Sequence, residues 1–189
     1  GSVPERGINA IEKMSKIISA LQSISFKKEH RILGKPTINI GTISGGTKIN
    51  VVPDYCEILV DRRMLPGEDP NEVKQEIEST LKSVKSRDPL VDYKVEDILF
   101  ADPFDLPEDA PLVKTAVSTI EETLGRKPEI TGLSGFTDAR FPAVEKKTPS
   151  ILVGPGDIAQ AHTANEFVDK KQILDAVAVY TALIKKLLT

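Results

Sequence analysis

The chain has 189 residues and a mass of 20.6 kDa, with 40% hydrophobic and 28% charged residues, the profile of a globular protein of one domain or two small ones. Lys plus Arg number 25 against 28 Asp plus Glu, a net charge of −3, so no basic excess points to nucleic acid or to an anionic membrane, and no apolar run approaches the roughly 20 residues of a membrane span. The single cysteine, Cys56, excludes an intrachain disulfide and a thiolate zinc knuckle, and with no recognisable signal peptide it suits a cytoplasmic protein.

In chain order, Ile8, Ile11, Met14, Ile17, Ile18 and Leu21 recur at three- and four-residue steps, which predicts an amphipathic helix over about 4–22. Lys27 to Arg31 is a polar, basic connection in which His30 is expected to be solvated. A strand is expected over 37–43, then a Gly45-Gly46 turn and a second strand over about 48–64, with Pro53 marking a bulge or edge. Cys56, Ile58 and Val60 fall on one face of this strand, with Cys56 expected as a small core residue, and Arg62 and Arg63 point to opposite faces. Leu65-Pro66-Gly67-Glu68 breaks the strand. Asp69 then reads as an N-cap with Pro70 at the first helical position and Glu72 closing a capping box, and Val73, Ile77, Leu81 and Val84 form a buried stripe. A third strand is expected over 93–100. With one strand added in front, this half becomes β-α-β-β-α-β, the ferredoxin-like pattern, so the reading leaves one strand unfilled.

The proline-punctuated stretch 101–107 is the expected boundary between two domains, 1–103 and 104–189. Asp109 is expected to cap a helix with Leu112, Val113, Ala116, Val117, Ile120 and Leu124 on its apolar face, ended by Gly125. Short strands are expected at 129–131 and 150–153. Asp169 with Gln172 reads as a last capping box, ahead of a helix whose stripe is Ile173, Leu174, Val177, Tyr180, Ile184 and Leu187. Strands alternating with helices suggest part of an α/β layered domain.

Three polar constellations could carry chemistry. Ala161-His162-Thr163-Ala164-Asn165-Glu166 follows a strand end, where ligands gather in open α/β sheets, and His162 reads as a metal ligand, a general base or a surface-loop histidine. Ser134-Gly135-Phe136-Thr137-Asp138-Ala139-Arg140 could bind a carboxylate through its arginine, or hold a solvated Asp138–Arg140 pair. Gly45 to Pro53 reads most simply as a turn, since it lacks the phosphate-loop spacing. A catalytic zinc needs about three protein ligands. No second histidine, HExxH or HxD stands near His162.

Five motifs now stand in order: Val3-Pro4-Glu5-Arg6-Gly7-Ile8-Asn9-Ala10-Ile11; Gly45-Gly46-Thr47-Lys48-Ile49-Asn50-Val51-Val52-Pro53; Asp61-Arg62-Arg63 with Leu65-Pro66-Gly67-Glu68; Thr137-Asp138-Ala139-Arg140-Phe141; and Gly154-Pro155-Gly156 with Ala161-His162-Thr163-Ala164-Asn165-Glu166. Together they resemble the zinc metallopeptidase family of acetylornithine deacetylase, succinyl-diaminopimelate desuccinylase, aminoacylase and glutamate carboxypeptidase.

The resemblance implies an α+β chain, with a ferredoxin-like dimerisation domain over 1–103 and the C-terminal portion of an α/β catalytic domain over 104–189. It implies hydrolysis of an amide bond in a small N-acyl amino acid or peptide, a homodimer, and two zinc ions per active site, with cobalt or manganese as alternatives. His162 matches a metal ligand. Asn50 and Arg63 match positions that hold the substrate carboxylate, and Gly135 and Thr137 match the loop lining the substrate pocket. The family's general base, its other metal ligands and the histidine that reaches a partner subunit match nothing here, so no catalytic group is expected on these 189 residues. The chain is accordingly expected to be truncated and inactive alone. The alternative expectation is an assembly module that dimerises and does no chemistry, with the strand at 37–43 or at 93–100 as a pairing edge.

Overall fold

The computed structural model describes residues 3–189. The chain divides into two compact units, Gly1–Pro103 and Phe104–Thr189.

In the first unit, helix α1 runs over Ala10–Gln22. It starts later than the periodicity predicts because Asn9 caps it: the Asn9 side chain accepts from the backbone N–H of Ile11 and of Glu12. A single 3₁₀ turn, Pro4–Arg6, precedes it. Strands β1, Thr37–Gly45, and β2, Cys56–Arg63, pair antiparallel, with Thr37 opposite Arg63 and Gly45 opposite Cys56. A bulge between Ile40 and Thr42 shifts the register by one residue. The expected strand start near 48 is not seen: residues 46–55 form the connection, and pairing resumes only beyond Pro53, which has no N–H to give a ladder.

Helix α2, Pro70–Arg87, begins as expected with Asp69 accepting from Asn71 N–H and with Pro70 at the first position. α1 packs on α2 and lies against both strands. The core is Ile17 and Leu21 of α1, Leu81 and Val84 of α2, and Val91, with Ile38, Ile58, Ile77 and Tyr93 packed against it. Burying Leu21 or Leu81 contributes about 2 kcal/mol each. Cys56 is only half-buried, at the strand end beside this core rather than in it. His30 is not a free surface residue. It forms a bridge with Gly34, and its Nδ1 accepts from the N–H groups of Ile32 and Leu33, which closes a turn before β1.

In the second unit, α3 (Pro111–Leu124) and α4 (Lys170–Leu188) pack on each other. The N-cap of α3 is Ala110 rather than Asp109, because Pro111 takes the first helical position and no side-chain cap forms. Gly125 ends α3 in the left-handed region at φ 67°, as its position predicts. α4 departs from its expected stripe. Leu174, Val177, Ile184 and Leu187 are all more than half exposed, whereas Val179, 3% exposed, is the buried residue. Among the described helices only α3 covers α4, so one narrow line of contact is buried and the broader apolar face is not. A π-helical turn, Phe141–Glu145, lies between them.

The observed architecture is therefore α+β, with one small antiparallel sheet among the described residues. Segments 93–100, 129–131 and 150–153, expected as strands, run without a ladder. Hydrophobic pattern marks a segment fit for a sheet, but a strand also requires a neighbour to accept its backbone bonds, and these segments have none among the described residues. Side chains fasten the first and the last of them. Lys74 pairs with Asp97, Lys85 pairs with Asp92 just before the first segment, and the Tyr180 hydroxyl donates to the Val153 carbonyl at 2.8 Å.

Candidate functional site

The first unit carries two of the residues singled out by sequence, Asn50 and Arg63. Asn50 is exposed in the turn closed by Val51 N–H donating to the Lys48 carbonyl. Beside it lies an open groove of about 510 Å³ between the start of α1 and the β1–β2 connection, lined by Asn9, Ile11, Gly46, Lys48 and Pro53 among others; Asn50 is not among its walls. The two glycines at the head of this connection have a steric reason of their own. A Cβ on Gly45 would sit 2.9 Å from the Tyr55 carbonyl oxygen, and Gly46 has φ +74°. At the foot of the connection, the Tyr55 hydroxyl donates to Glu57, and this carboxylate raises the phenol pKa.

Arg62 and Arg63 do face opposite ways. Arg63 lies on the open face of the sheet, its side chain 49% exposed and held by Asp61 at 2.8 Å. Arg62 lies on the helix side and is 7% exposed. It pairs with Glu68, equally buried, at 2.8 Å, and sits 4.4 Å over the Phe26 ring. Glu68 also accepts from the Leu65 N–H, and Gly67, at φ +81°, makes the turn that brings the carboxylate back. Sequence reasoning missed this buried pair. The signal was present as an acid six residues after an arginine, across a Pro-Gly turn.

The second unit carries Gly135, Thr137 and His162. Gly135 is exposed, and a Cβ there would come 3.3 Å from the Leu133 side chain. Thr137 organises the loop end: its Oγ1 accepts from Ala139 N–H and its carbonyl from Arg140 N–H, which starts the turn at Phe141. Asp138 and Arg140 do not form an ion pair; Arg140 stacks on Phe136 and Phe141 instead. His162 is exposed, with φ +63° in the left-handed region. It is held there by its N–H donating to Glu166 Oε2 at 2.9 Å, while Thr163 donates to the Gln160 carbonyl. A non-glycine residue there costs roughly 1–2 kcal/mol, a strain that clusters at functional sites.

Among the described residues no group of three His, Cys, Asp or Glu side chains is placed to hold a metal ion. His162 thus belongs to no such group, and the donor set of the described residues does not by itself fit a metal centre.

The chain is 33% identical to an acetylornithine deacetylase of Photorhabdus laumondii over 97% of its own length and 47% of that relative's. An acetylornithine deacetylase of Proteus mirabilis is also 33% identical, over 89% of this chain and 43% of the relative. Residues 1–89 match the peptidase dimerisation domain family. The chain is thus similar to M20 metallopeptidases along most of its length, and its first 89 residues carry the dimerisation-domain match. Two solved structures share its fold. An aminopeptidase of Bacillus cereus superposes with a TM-score of 0.72 at 21% identity, over 99% of this chain and 48% of that one. An M20 family metallo-carboxypeptidase of Sulfolobus solfataricus gives 0.63 at 17% identity, over 97% of this chain and 44% of that one. The chain spans about half the length of the curated relatives it matches. Asn50 and Arg63 fall inside the matched dimerisation segment, and Gly135, Thr137 and His162 fall outside it.

Proposed function

We propose that this chain is part of a metal-dependent hydrolase that cleaves the amide bond of an N-acyl amino acid or small peptide, of the acetylornithine deacetylase type. The observation that carries this reading is the 33% identity to an acetylornithine deacetylase, sustained over 97% of the chain. In this reading residues 1–103 form a ferredoxin-like dimerisation domain and residues 104–189 a C-terminal portion of the catalytic domain. The ferredoxin-like order sets the first strand between the third and the fourth, which accounts for β2 lacking its second neighbour and for 93–100 lacking a ladder. Asn50 and Arg63 hold the substrate carboxylate, Arg63 being the arginine of its pair whose side chain is half exposed. Gly135 and Thr137 line the pocket, and His162 is one metal ligand, zinc being the metal of choice. The general base and remaining donors come from polypeptide other than these 189 residues, the assembly is a homodimer, and its place is the cytoplasm.

The test is an assay of the purified chain, with zinc or cobalt, on N-acetyl amino acids including N-acetylornithine. The expected result is no turnover above buffer. Turnover abolished both by a chelator and by His162→Ala would overturn the reading that the chain is incomplete. A second reading, an assembly module without chemistry of its own, draws on the match of residues 1–89 to a dimerisation domain. Light scattering after size exclusion should then give a dimer of about 41 kDa, twice the chain mass of 20.6 kDa; a strict monomer at high concentration would remove it.

A further inference from the structure

We propose that Arg140 is a binding residue for a small-molecule carboxylate, held ready by aromatic stacking in the loop 134–141. The guanidinium lies 4.0 Å from the Phe141 ring centroid and 5.1 Å from that of Phe136. A ring at such a distance takes up a flat face of the guanidinium, whereas its five N–H donors lie in the plane and are not used by that contact. Among the described residues Nε of Arg140 is buried without a hydrogen-bond partner, and no ion pair is formed with Asp138. A buried donor without an acceptor costs about 1–3 kcal/mol, and here it belongs to a cation.

The other buried, unpartnered atoms differ in kind. Nε of Arg62 belongs to a guanidinium already paired with Glu68, and Oγ1 of Thr119 is a lone hydroxyl on α3. Arg140 alone of the three combines full charge, a missing counter-ion and a fixed plane. A carboxylate matches it because its two oxygens meet two parallel N–H groups at once. The backbone supports the same geometry. Arg140 N–H donates to the Thr137 carbonyl and Phe141 N–H to that of Asp138, so the loop presents the side chain from a closed turn. Asp138, the nearest acid in sequence, is exposed and does not pair with it. The site deepens the hydrolase reading, and its assignment to a substrate carboxylate rests on that reading; carboxylate binding itself does not.

The experiment follows the arginine Nε–Hε resonances of the ¹⁵N-labelled 189-residue chain by NMR, the Arg140 signal being identified by its loss in Arg140→Lys. Sodium acetate and N-acetyl-L-alanine are titrated in, with acetamide as the uncharged control and a terminally blocked Gly-Asp-Gly peptide as a protein side-chain carboxylate. The expected result is a saturable shift of the Arg140 signal with the two small carboxylates and none with acetamide. In Arg140→Lys, which keeps the charge but loses the fork, the half-saturating concentration read from neighbouring amides rises about tenfold. If that variant fails to fold, Arg140→Gln identifies the signal instead, and the titration of the wild-type signal decides the matter. An unmoved Arg140 signal, an equal response to acetamide, or a response to the blocked peptide alone would each overturn the proposal. No turnover is measured, so this result is separate from the fate of the hydrolase reading.

Discussion

Two adjacent arginines on β2 meet opposite environments because a strand turns successive side chains to opposite faces. Arg62 is enclosed with Glu68 and Phe26, and Arg63 stays at the surface with Asp61. The energetic consequences differ accordingly. Removing one partner of a buried ion pair leaves the other charge uncompensated, so Arg62→Ala should destabilise the first unit by about 3–5 kcal/mol in urea unfolding. Arg63→Ala should cost under about 1 kcal/mol, because an exposed pair contributes little. Equal effects would contradict the burial of the Arg62–Glu68 pair. His162 obeys a different rule. Its left-handed φ of 63° is relieved by glycine, so His162→Gly should stabilise the second unit by about 1 kcal/mol while deleting the imidazole that the proposed function assigns to a metal. A gain in thermal midpoint with loss of any metal-induced shift would show stability and ligation opposed at one residue.

At the scale of elements, helix ends were legible where a local side chain or glycine fixes them, whereas the starts of α1 and α3 fall at Asn9 and Ala110 rather than where the pattern places them. Asp69, Asp169 and Gly125 terminate helices as their residue types require, and Asn9 could have been found from the glutamate three residues on, to which its amide donates. The glutamine expected to close the last capping box does something else: Gln172 accepts from Gly156 N–H, fastening a loop to α4. Strands were less legible, since pairing depends on what lies alongside and not on the segment itself. The site residues were legible only as a list of types; nothing in spacing alone separates Arg62 from Arg63 in role. One contact between elements was invisible in sequence altogether. Asp88, at the end of α2, receives Lys13 at 2.8 Å and Lys16 at 2.7 Å, both from α1. These hydrogen bonds, Lys13 first, lower its pKa from 3.8 to about 2. Because the folded value lies below the unfolded one, the linkage stabilises the fold fully above the ordinary carboxylate pKa and is lost as pH falls from about 4 through 2. Asp88→Asn should therefore lower the thermal midpoint of the first unit at pH 7, and the difference from wild type should shrink towards zero at pH 2. A pH-independent difference would assign the loss to packing rather than to charge.

For the whole chain, the quantity that decides is surface. The accessible area is 13636 Å². A compact monomer of this mass exposes roughly 8,900 Å², and two separate compact units of half the mass expose roughly 10,700 Å² together, whatever their arrangement. The excess of about 3,000 Å² therefore arises within the units, and it is of the size that a permanent interface buries. Its apolar part is identifiable: Leu174, Val177, Ile184 and Leu188 on α4, and Ile98 and Leu99 in the segment without a ladder. Patches of this kind mark contact surfaces. The denaturant response follows. An unfolded chain of this mass exposes roughly 29,900 Å², so unfolding uncovers about 16,000 Å² here against about 21,000 Å² for a compact protein of equal mass. Since m scales with that area, the summed urea m value should be roughly three quarters of the value for a compact 189-residue protein. Circular dichroism of the dilute chain measures it. A full m value would mean that the face of α4 is already covered in solution, and light scattering on the same sample would show whether a second copy covers it.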